Sequence, residues 1–222
     1  MKRKVLIVVD PQNDFCDPKG SLYVAGSEGI FDKVNALLDS DEFALKVITQ
    51  DWHPKGHVSF ASTHGAELFT QKETLQGTGS PKGTKTIKQT MWPDHCVEGT
   101  WGAEIHPAIH VDKADLIYRK GRDSNRECYS AFEYVHEGEA FIEDYTIFYS
   151  MMANVDADEV YVCGLCLDYC CLQTAIGAEE LFERVYIVAD ASRAVDEEHR
   201  EDYLADYIQR NIVVTTTKQA IE

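Results

Sequence analysis

No apolar run in this chain of 222 residues approaches the ~20 residues that a helix needs to cross a bilayer. The N-terminus is basic and leads into apolar residues 5–9, but this run stops at Asp10 and no small-residue cleavage site follows it. Both features argue against a signal peptide. We therefore expect a cytoplasmic protein that makes no contact with a membrane.

Positive charge is also scarce in this sequence. The 21 lysine and arginine residues are outnumbered by 38 aspartate and glutamate residues, which gives a formal net charge of -17 at pH 7. A surface with this charge repels a polyanion, so we expect no nucleic acid partner.

The chain lacks both an internal repeat and a linker that would separate two domains. Its length, with 44% hydrophobic and 27% charged residues, is typical of a soluble globular protein. We therefore expect a single domain over residues 1–222.

Cysteine, in contrast, is plentiful. The chain has seven cysteines, and four of them lie within the nine residues 163–171. An odd number, crowded in this way, is not typical of a secreted disulfide framework. The sequence favours a reducing compartment, in which the thiols are free for catalysis or for metal binding.

Short apolar runs rich in β-branched residues alternate with helical patterns along the chain. Ser27 is the candidate N-cap of the first helix, in which apolar residues recur on one face. These residues are Ile30, Val34, Leu37 and Leu38. Strands that alternate with helices predict an α/β fold with three layers, α/β/α, around a mostly parallel central sheet. The predicted strands are residues 5–9, 44–49, 115–119, 159–163, 184–189 and 212–216.

Residues 52–112 interrupt this alternation. They carry six of the eight histidines and a stretch rich in glycine, serine, threonine and lysine at 77–86. A long connection without strong periodicity inside a compact domain is usually functional. We interpret this segment as an insertion that binds metal or substrate.

Reactive residues follow several predicted strands at the points where those strands end. Asp10 follows the first strand, Asp51 and His53 follow the second, and Lys120 follows the third. The cysteine-rich segment 163–171 comes at the end of the fourth strand and opens a helix. Because ligands bind outside the carboxyl ends of parallel strands, we expect these residues to share one edge of the sheet.

Cys170 is the best placed nucleophile in the cysteine-rich segment. It lies two residues after Asp168, a candidate cap of the following helix. The helix dipole favours a thiolate in the first turn, and a nearby lysine would lower the pKa of the thiol further. Backbone N–H groups of the same turn could stabilise a developing oxyanion.

Two other interpretations of these cysteines stay open on spacing alone. A free cysteine is often a small apolar residue of the core. Cys163 and Cys166 have the C-x-x-C spacing of a dithiol pair that follows a strand, although Cys163 would still lie within that strand. A zinc site made from the cluster alone is disfavoured because Cys170 and Cys171 diverge on a helix.

Asp51 and His53 have the spacing of two metal ligands. Residues two apart at the end of a strand point the same way, so a carboxylate and an imidazole can share one metal ion. One more imidazole from the insertion would complete a three-ligand face with open positions for water and substrate. The alternative is a solvated strand end, and Asp10 and Lys120 have similar alternatives as a capping acid and a surface ammonium.

Five groups of motifs in this chain occur in the order of one known family. They are residues 8–16 (VVDPQNDFC), 50–54 with 57–62 (QDWHP, HVSFAS), 92–97 with 99–102 (WPDHCV, GTWG), 120–121 with 127–132 (KG, ECYSAF), and 164–170 (GLCLDYC). Together they cover nearly the whole chain and resemble the nicotinamidase/pyrazinamidase group of the isochorismatase-like cysteine hydrolases. The Trp-Pro-x-His-Cys segment favours this group over other branches of the superfamily.

The resemblance implies the fold of those hydrolases and a catalytic triad of Asp10, Lys120 and Cys170. It also implies one divalent metal ion, zinc first, with iron and manganese as alternatives, since imidazole and carboxylate ligands suit all three. The implied metal ligands are Asp51, His53 and His95.

The resemblance further implies an oxyanion hole formed by the backbone N–H groups of Cys166 and Cys170. It implies a cis peptide bond between Leu165 and Cys166. The implied aromatic substrate pocket is lined by Phe15, Trp92 and Tyr129.

The chain departs from the family pattern at three positions of the GLCLDYCC segment. Cys166 stands where alanine is usual, Leu167 where threonine is usual, and Cys171 where valine is usual. The extra thiols bear on oxidative stability rather than on the chemistry. His57 reaches the metal in some relatives and stays unassigned here.

The resemblance implies an amidohydrolase that converts nicotinamide, and also pyrazinamide, to the acid and ammonia through a cysteine thioester, in NAD salvage. The substrate would be this small molecule, and a homo-oligomer is compatible with the sequence. One alternative is another hydrolase of the superfamily that acts on a vinyl ether or an N-carbamoyl compound. A second alternative is a dithiol oxidoreductase that uses Cys163 and Cys166.

Overall fold

The structure is a computed structural model that describes residues 3–77, 83–132 and 145–222. Eight strands lie in this part of the chain. They are β1 (Lys4–Val9), β2 (Phe43–Asp51), β3 (Gln71–Gly77), β4 (Thr84–Thr90), β5 (Leu116–Lys120), β6 (Glu159–Leu165), β7 (Arg184–Arg193) and β8 (Val213–Thr215).

Seven α-helices accompany these strands in the described residues, and short 3-10 turns join several of them. The helices are α1 (Asn13–Cys16), α2 (Phe31–Asp39), α3 (Ala61–His64), α4 (Tyr145–Ala153), α5 (Cys170–Ala178), α6 (Arg200–Gln209) and α7 (Thr217–Ile221). None of the helices in the described ranges has both the length and the apolar character needed to cross a membrane.

Six strands form one sheet in the order β5-β2-β1-β6-β7-β8, and every neighbouring pair in it is parallel. The strand β1 lies near the centre, between β2 and β6. All six predicted strands are present, with ends that differ by a few residues. The expected α/β fold with a parallel central sheet is therefore confirmed.

The apolar side chains of β1 alternate between two cores, one on each face of the sheet. Leu6 and Val8 pack in the core that includes residues of α2 and α7. Val5, Ile7 and Val9 pack in the opposite core with residues of α4, α5 and α6. Because a strand directs successive side chains to opposite faces, a strand covered on both faces has a continuous apolar sequence.

The central strands approach each other closely just before the reactive residues. Gly164 in β6 has a φ of +112°, and a Cβ atom there would lie 2.3 Å from the carbonyl oxygen of Val9. A side chain at this position would therefore displace the end of β1. The glycine allows Asp10 and the segment after β6 to lie side by side.

Two local predictions differ from the structure. Ser27 does not cap α2, because a 3-10 turn over Ser27–Ile30 precedes that helix and the Ser27 hydroxyl donates to the carbonyl oxygen of Cys16 at 3.2 Å. The insertion also contains regular structure, the antiparallel hairpin of β3 and β4. Its buried positions are largely polar, as at Thr74 and Gln76, so the strands lack the apolar alternation that would have predicted them.

Candidate active site

The carboxyl ends of β1, β2 and β5 place three charged side chains together. Asp10 directly follows β1, while Asp51 ends β2 and Lys120 ends β5. Asp51 and Lys120 are paired residues of these two neighbouring strands. Asp10 and Lys120 are fully buried and Asp51 is 4% exposed, so their charges are shielded from solvent.

Lys120 is the centre of this group. Its Nζ lies 2.9 Å from Asp10 Oδ2, 2.5 Å from Asp51 Oδ1 and 3.5 Å from Cys170 Sγ. Burial alone would lower the pKa of Lys120, but the two carboxylates raise this pKa well above its ordinary value. The side chain is therefore an ammonium held between two acids and a thiol.

Asp10 has the electrostatics of a group that exchanges protons near neutrality. Burial raises the pKa of Asp10 to about 6, against the lowering effect of Lys120 and with a further raising effect of Asp51. The Thr49 hydroxyl donates to Asp10 Oδ1 at 2.6 Å and fixes the orientation of the carboxylate. Thr49 is a functional residue that the sequence reasoning missed, because a threonine in a strand is ordinary.

Cys170 begins α5, as the sequence predicts, and is 5% exposed. Its sulfur, a carboxylate oxygen of Asp10 and a carboxylate oxygen of Asp51 all lie within 4.8 Å of one another. The acid, the ammonium and the thiol that the resemblance implies as a triad are therefore within mutual reach.

The expectation that the surroundings lower the pKa of Cys170 is wrong. Burial raises this pKa well above its ordinary value, and the lowering effect of Lys120 does not compensate for burial and for Asp10. The resting side chain is a neutral thiol, so it needs a base, and Asp10 is the neighbouring acid with a raised pKa.

The expectation that Asp168 caps α5 is also wrong. Tyr169 is the N-cap residue of α5 and makes no capping hydrogen bond through its side chain. The Asp168 carboxylate instead accepts hydrogen bonds from the backbone N–H groups of Val195, at 2.9 Å, and Asp196, at 3.1 Å. It joins the turn before α5 to the loop after β7.

A second cluster of side chains lies on the other side of Asp51. Asp51 Oδ2 is 3.5 Å from His53 Nε2 and 3.9 Å from His95 Nε2, so one oxygen faces both imidazoles. Ligand atoms of the three residues lie within 4.8 Å of one another, and all three residues are buried. This is the set of metal ligands that the resemblance implies.

The hydrogen bonds of the two imidazoles suit metal binding. His53 Nδ1 pairs with the carbonyl oxygen of Gly121 at 2.9 Å, and His95 Nδ1 pairs with that of Pro93 at 2.8 Å. Since a carbonyl only accepts, each Nδ1 carries a proton, which leaves each Nε2 as the nitrogen that could bind a metal ion. His53 Nε2 is buried and has no hydrogen-bond partner in the described part of the chain. Burial, and then His53, lower the pKa of His95 to about 4, which keeps that ring neutral.

His57 belongs to the surroundings of this cluster. Its ring stacks on that of His53 at 4.0 Å between centroids. Its Nδ1 is 2.8 Å from the Ser59 hydroxyl and its Nε2 is 2.8 Å from the carbonyl oxygen of Arg126. Both ring nitrogens of His57 are thus engaged, and ligand atoms of His57, His53 and Glu127 also lie within 4.8 Å of one another.

Gln12 holds the end of β2 in place. Its side-chain amide donates to the carbonyl oxygen of Asp51 at 2.7 Å and accepts from the N–H of the same residue at 2.7 Å. Gln12 belongs to the motif of residues 8–16, but the sequence alone indicates no role for it. Its two hydrogen bonds position the residue that serves both clusters.

An open cleft with aromatic walls lies beside the two clusters. The Trp92 indole N–H and the Gln89 side-chain amide both donate to the Tyr129 hydroxyl at 3.0 Å, which fixes two of its walls. Tyr169 completes the wall, with its ring 5.0 Å from that of Trp92. The residues that line the cleft are Phe15, Leu22, Asp51, Trp92, His95, Tyr129, Cys166, Tyr169, Cys170 and Val195.

The cleft thus contains the three aromatic residues implied by the resemblance, together with residues of both clusters. Leu22, Tyr169 and Val195 were missed as lining residues. Tyr169 lies inside the GLCLDYC motif, so the motif itself was a signal, whereas Leu22 and Val195 reach the cleft only through the fold.

The backbone makes a tight turn beside Cys170. The peptide bond between Leu165 and Cys166 is cis, as the resemblance implies. The Cys166 carbonyl accepts from the N–H groups of Tyr169, at 3.1 Å, and Cys171, at 3.0 Å. In the described residues the N–H groups of Cys166 and Cys170 donate to no protein acceptor, so both are available to a ligand.

The position of Cys163 disfavours a dithiol pair with Cys166. Cys163 lies within β6, is fully buried and packs in a core. Burial also raises the pKa of Cys163 above its ordinary value. A dithiol oxidoreductase requires an accessible thiol that can ionise. Cys163 is neither accessible nor ionised.

Comparison with known proteins extends over nearly the whole chain. Residues 4–219 match the family model of the isochorismatase domain. The chain is 41% identical to a nicotinamidase of Acinetobacter baylyi over 192 residues, 86% of this chain and 81% of that protein. It is 36% identical to a nicotinamidase of Saccharomyces cerevisiae over 200 residues, 88% of this chain and 90% of that protein.

Solved structures are similar to the fold over a comparable extent. A nicotinamidase/pyrazinamidase of Acinetobacter baumanii has a TM-score of 0.82 at 31% identity and covers 99% of this chain and 98% of its own. A structure from L. infantum in complex with nicotinate has a TM-score of 0.78 at 30% identity and covers 98% and 94%. A pyrazinamidase of Pyrococcus horikoshii in complex with zinc has a TM-score of 0.70 at 30% identity and covers 96% and 99%.

We expect the side chain of His95 to be required for metal binding. The protein is incubated with zinc, separated from free metal by gel filtration and analysed for bound metal. Wild type should retain zinc, whereas His95→Ala should lose most of it because one of three buried ligands is gone.

The matched control is His110→Ala, which removes an exposed histidine whose ring pairs with Asp39. It should retain as much zinc as wild type. Equal zinc in His95→Ala and wild type, with both proteins folded by circular dichroism, would contradict the metal assignment.

Proposed function

Because the chain belongs to the isochorismatase family, we propose that it is a nicotinamidase that hydrolyses nicotinamide to nicotinate and ammonia. Pyrazinamide is the second proposed substrate, since relatives named for both activities are similar to this chain. The product acid would enter the salvage of NAD.

One observation carries this proposal more than any other. Asp10, Lys120 and Cys170 come from three distant parts of the sequence and are within reach of one another beside an aromatic cleft. A base, a cation and a nucleophile beside a cleft with aromatic walls suit attack on the carboxamide of an aromatic ring.

We assign the first proton transfer to Asp10 and the attack to Cys170. Asp10 takes the proton from the Cys170 thiol, and the sulfur attacks the carboxamide carbon. Since burial raises the pKa of both groups, the transfer does not leave a free thiolate in the resting enzyme. Lys120 lies within 3.5 Å of both and stabilises the negative charge as it moves from the carboxylate to the sulfur.

The oxyanion that forms on the carboxamide oxygen would accept hydrogen bonds from the N–H groups of Cys166 and Cys170. These donors are fixed by the turn before α5, so they need no reorganisation during the reaction. One such donor typically contributes ~3 kcal/mol to lowering the barrier.

Asp10 then acts as a general acid. In its protonated form it gives the proton to the departing nitrogen, and ammonia leaves. A water molecule hydrolyses the thioester, with Asp10 again as the base, and nicotinate is released. A carboxyl group with a pKa of about 6 can perform both roles near neutral pH.

A divalent metal ion fits the site formed by Asp51, His53 and His95, because two imidazole nitrogens and one carboxylate oxygen converge in a buried position. When bound, it would supply a Lewis acid for the lone pair of the pyridine nitrogen and so orient the ring. Zinc is the proposed ion, supported by the zinc-bound relative of Pyrococcus horikoshii, and iron and manganese suit the same ligands.

The aromatic cleft would hold the ring of the substrate. Phe15, Trp92, Tyr129 and Tyr169 offer flat apolar surface around Cys170. Aromatic walls favour a planar ring through stacked and edge contacts. This favours a pyridine or pyrazine amide over an open-chain N-carbamoyl compound.

We expect Cys170→Ala to abolish hydrolysis of nicotinamide, because the thioester cannot form. The measurement is ammonia release from nicotinamide, pyrazinamide and an N-carbamoyl amino acid, with wild type assayed in parallel. Activity should fall by at least ~10³-fold, as expected for loss of a catalytic nucleophile.

Cys171→Ala is the matched control, because Cys171 is adjacent in sequence but is fully buried and does not line the cleft. It should keep most of the activity. Turnover of the N-carbamoyl compound in preference to both aromatic amides would contradict the proposed substrate class.

We expect kcat/KM for nicotinamide to fall as the pH is lowered through about 6. Asp10 must be ionised to accept the thiol proton, and its pKa is raised from 3.8 to about 6. Below that pH the carboxyl group is protonated and each further unit should reduce kcat/KM about tenfold. The measurement is a pH profile at saturating metal, and a profile that stays flat down to pH ~4 would contradict the role of Asp10.

A further inference from the structure

Two of the seven cysteines of this chain face the same aromatic cleft. In the described residues, Cys166 and Cys170 are the cysteines that line it. Cys170 is the proposed nucleophile. Cys166 adds a second sulfur to a cleft whose chemistry, as proposed, needs only the backbone N–H of that residue.

The other five cysteines do not line the cleft. Each is at most 1% exposed. Cys163 and Cys171 are fully buried and do not line the cleft with the nucleophile. The remaining three are Cys16, Cys96 and Cys128.

The backbone holds the two cleft cysteines close together. The Cys166 carbonyl accepts from the Tyr169 N–H at 3.1 Å and from the Cys171 N–H at 3.0 Å, so the chain turns back on itself between them. The Cα atom of Cys170 is two bonds from the Cys171 nitrogen, and the Cα atom of Cys166 is two bonds from its own carbonyl oxygen, so the 3.0 Å hydrogen bond holds these two Cα atoms close together. A disulfide requires Cα atoms about 4.4–6.8 Å apart, a separation that this hydrogen bond allows.

We propose that Cys166 is a resolving thiol, which forms a reversible disulfide with Cys170 after a hydroperoxide has oxidised the nucleophile. The pair is thus a modification site of the enzyme, distinct from its role in amide hydrolysis. The proposal rests on the proposed function only in taking Cys170 as the reactive thiol.

The chemistry is balanced in two steps. In the first, Cys170 loses its proton to Asp10 and its sulfur attacks the peroxide oxygen. An S–O bond forms as the O–O bond breaks, the leaving hydroxide takes back the proton from Asp10 and becomes water, and the sulfur is oxidised to a sulfenic acid. In the second, the Cys166 sulfur attacks the sulfenic sulfur, the S–O bond breaks and the S–S bond forms. The hydroxide that leaves takes the Cys166 proton and becomes water.

The disulfide would protect the enzyme from permanent loss. A sulfenic acid that finds no thiol can be oxidised further to sulfinic and sulfonic acids, which a dithiol does not reduce. A disulfide returns to two thiols when a dithiol reductant supplies two electrons. The oxidised enzyme would therefore be inactive but recoverable.

Peptide mapping tests the proposal directly. The reduced protein is treated with hydrogen peroxide, blocked with an alkylating reagent and digested with chymotrypsin, which cuts after Leu167 and Tyr169 and so separates the two cysteines. We expect the fragments that contain Cys166 and Cys170 to stay joined until dithiothreitol is added. Most of the initial ammonia-releasing activity should return with the reductant.

Two variants sharpen the test, each compared with its own reduced form because Cys166 also contributes a backbone N–H to the site. Cys166→Ala should give no joined fragments, and dithiothreitol should restore only a small part of the activity lost to peroxide. Cys171→Ala should behave as wild type does, with joined fragments and full recovery.

Several outcomes would overturn the proposal. These are separate fragments in oxidised wild type with extra oxygen on Cys170, a bridge from Cys170 to Cys171 instead, or equal recovery of Cys166→Ala and wild type. The mapping does not depend on the substrate. A joined pair in a protein inactive on nicotinamide would contradict only the proposed function. Separate fragments in a protein active on nicotinamide would contradict only this inference.

Discussion

The site depends on one buried ammonium that lies between two buried carboxylates. Lys120 contacts Asp10 and Asp51 on either side, and its charge allows both acids to stay ionised where solvent is excluded. Two carboxylates this close, without the lysine, would repel each other, and one would take up a proton. The parallel order of β5, β2 and β1 brings the three residues together, so the sheet topology itself positions the site.

Asp51 links the two halves of the site through its two oxygens. Oδ1 faces Lys120, while Oδ2 faces His53 and His95. The group that completes the metal site therefore also holds the catalytic lysine in place. Gln12 fixes the backbone of this residue from both sides, which explains why a buried amide side chain lies where the strand ends.

Much of this arrangement could be predicted from the sequence, because continuous apolar runs identified the six sheet strands and the residues that follow them. Predictions failed at residues whose role is determined by tertiary contacts. Asp168 and Ser27 have the residue type of a cap, but each finds another hydrogen-bond partner in the fold. Burial raises the pKa of the Cys170 thiol, although this residue begins a helix and lies beside Lys120. Thr49 acts through Asp10, which comes from a distant segment, and β3 and β4 bury polar side chains that carry no strand pattern.

The central claim is that Asp10 moves the thiol proton while Lys120 holds the group together. The most direct measurement is kcat for nicotinamide in Asp10→Asn, which preserves size and leaves Lys120 paired with Asp51. The account predicts a loss of about 10²–10⁴-fold in a folded protein with normal metal content, as for removal of a general base. A folded Asp10→Asn protein within about tenfold of wild type would contradict it, because a loss that small lies below the range for general acid–base catalysis.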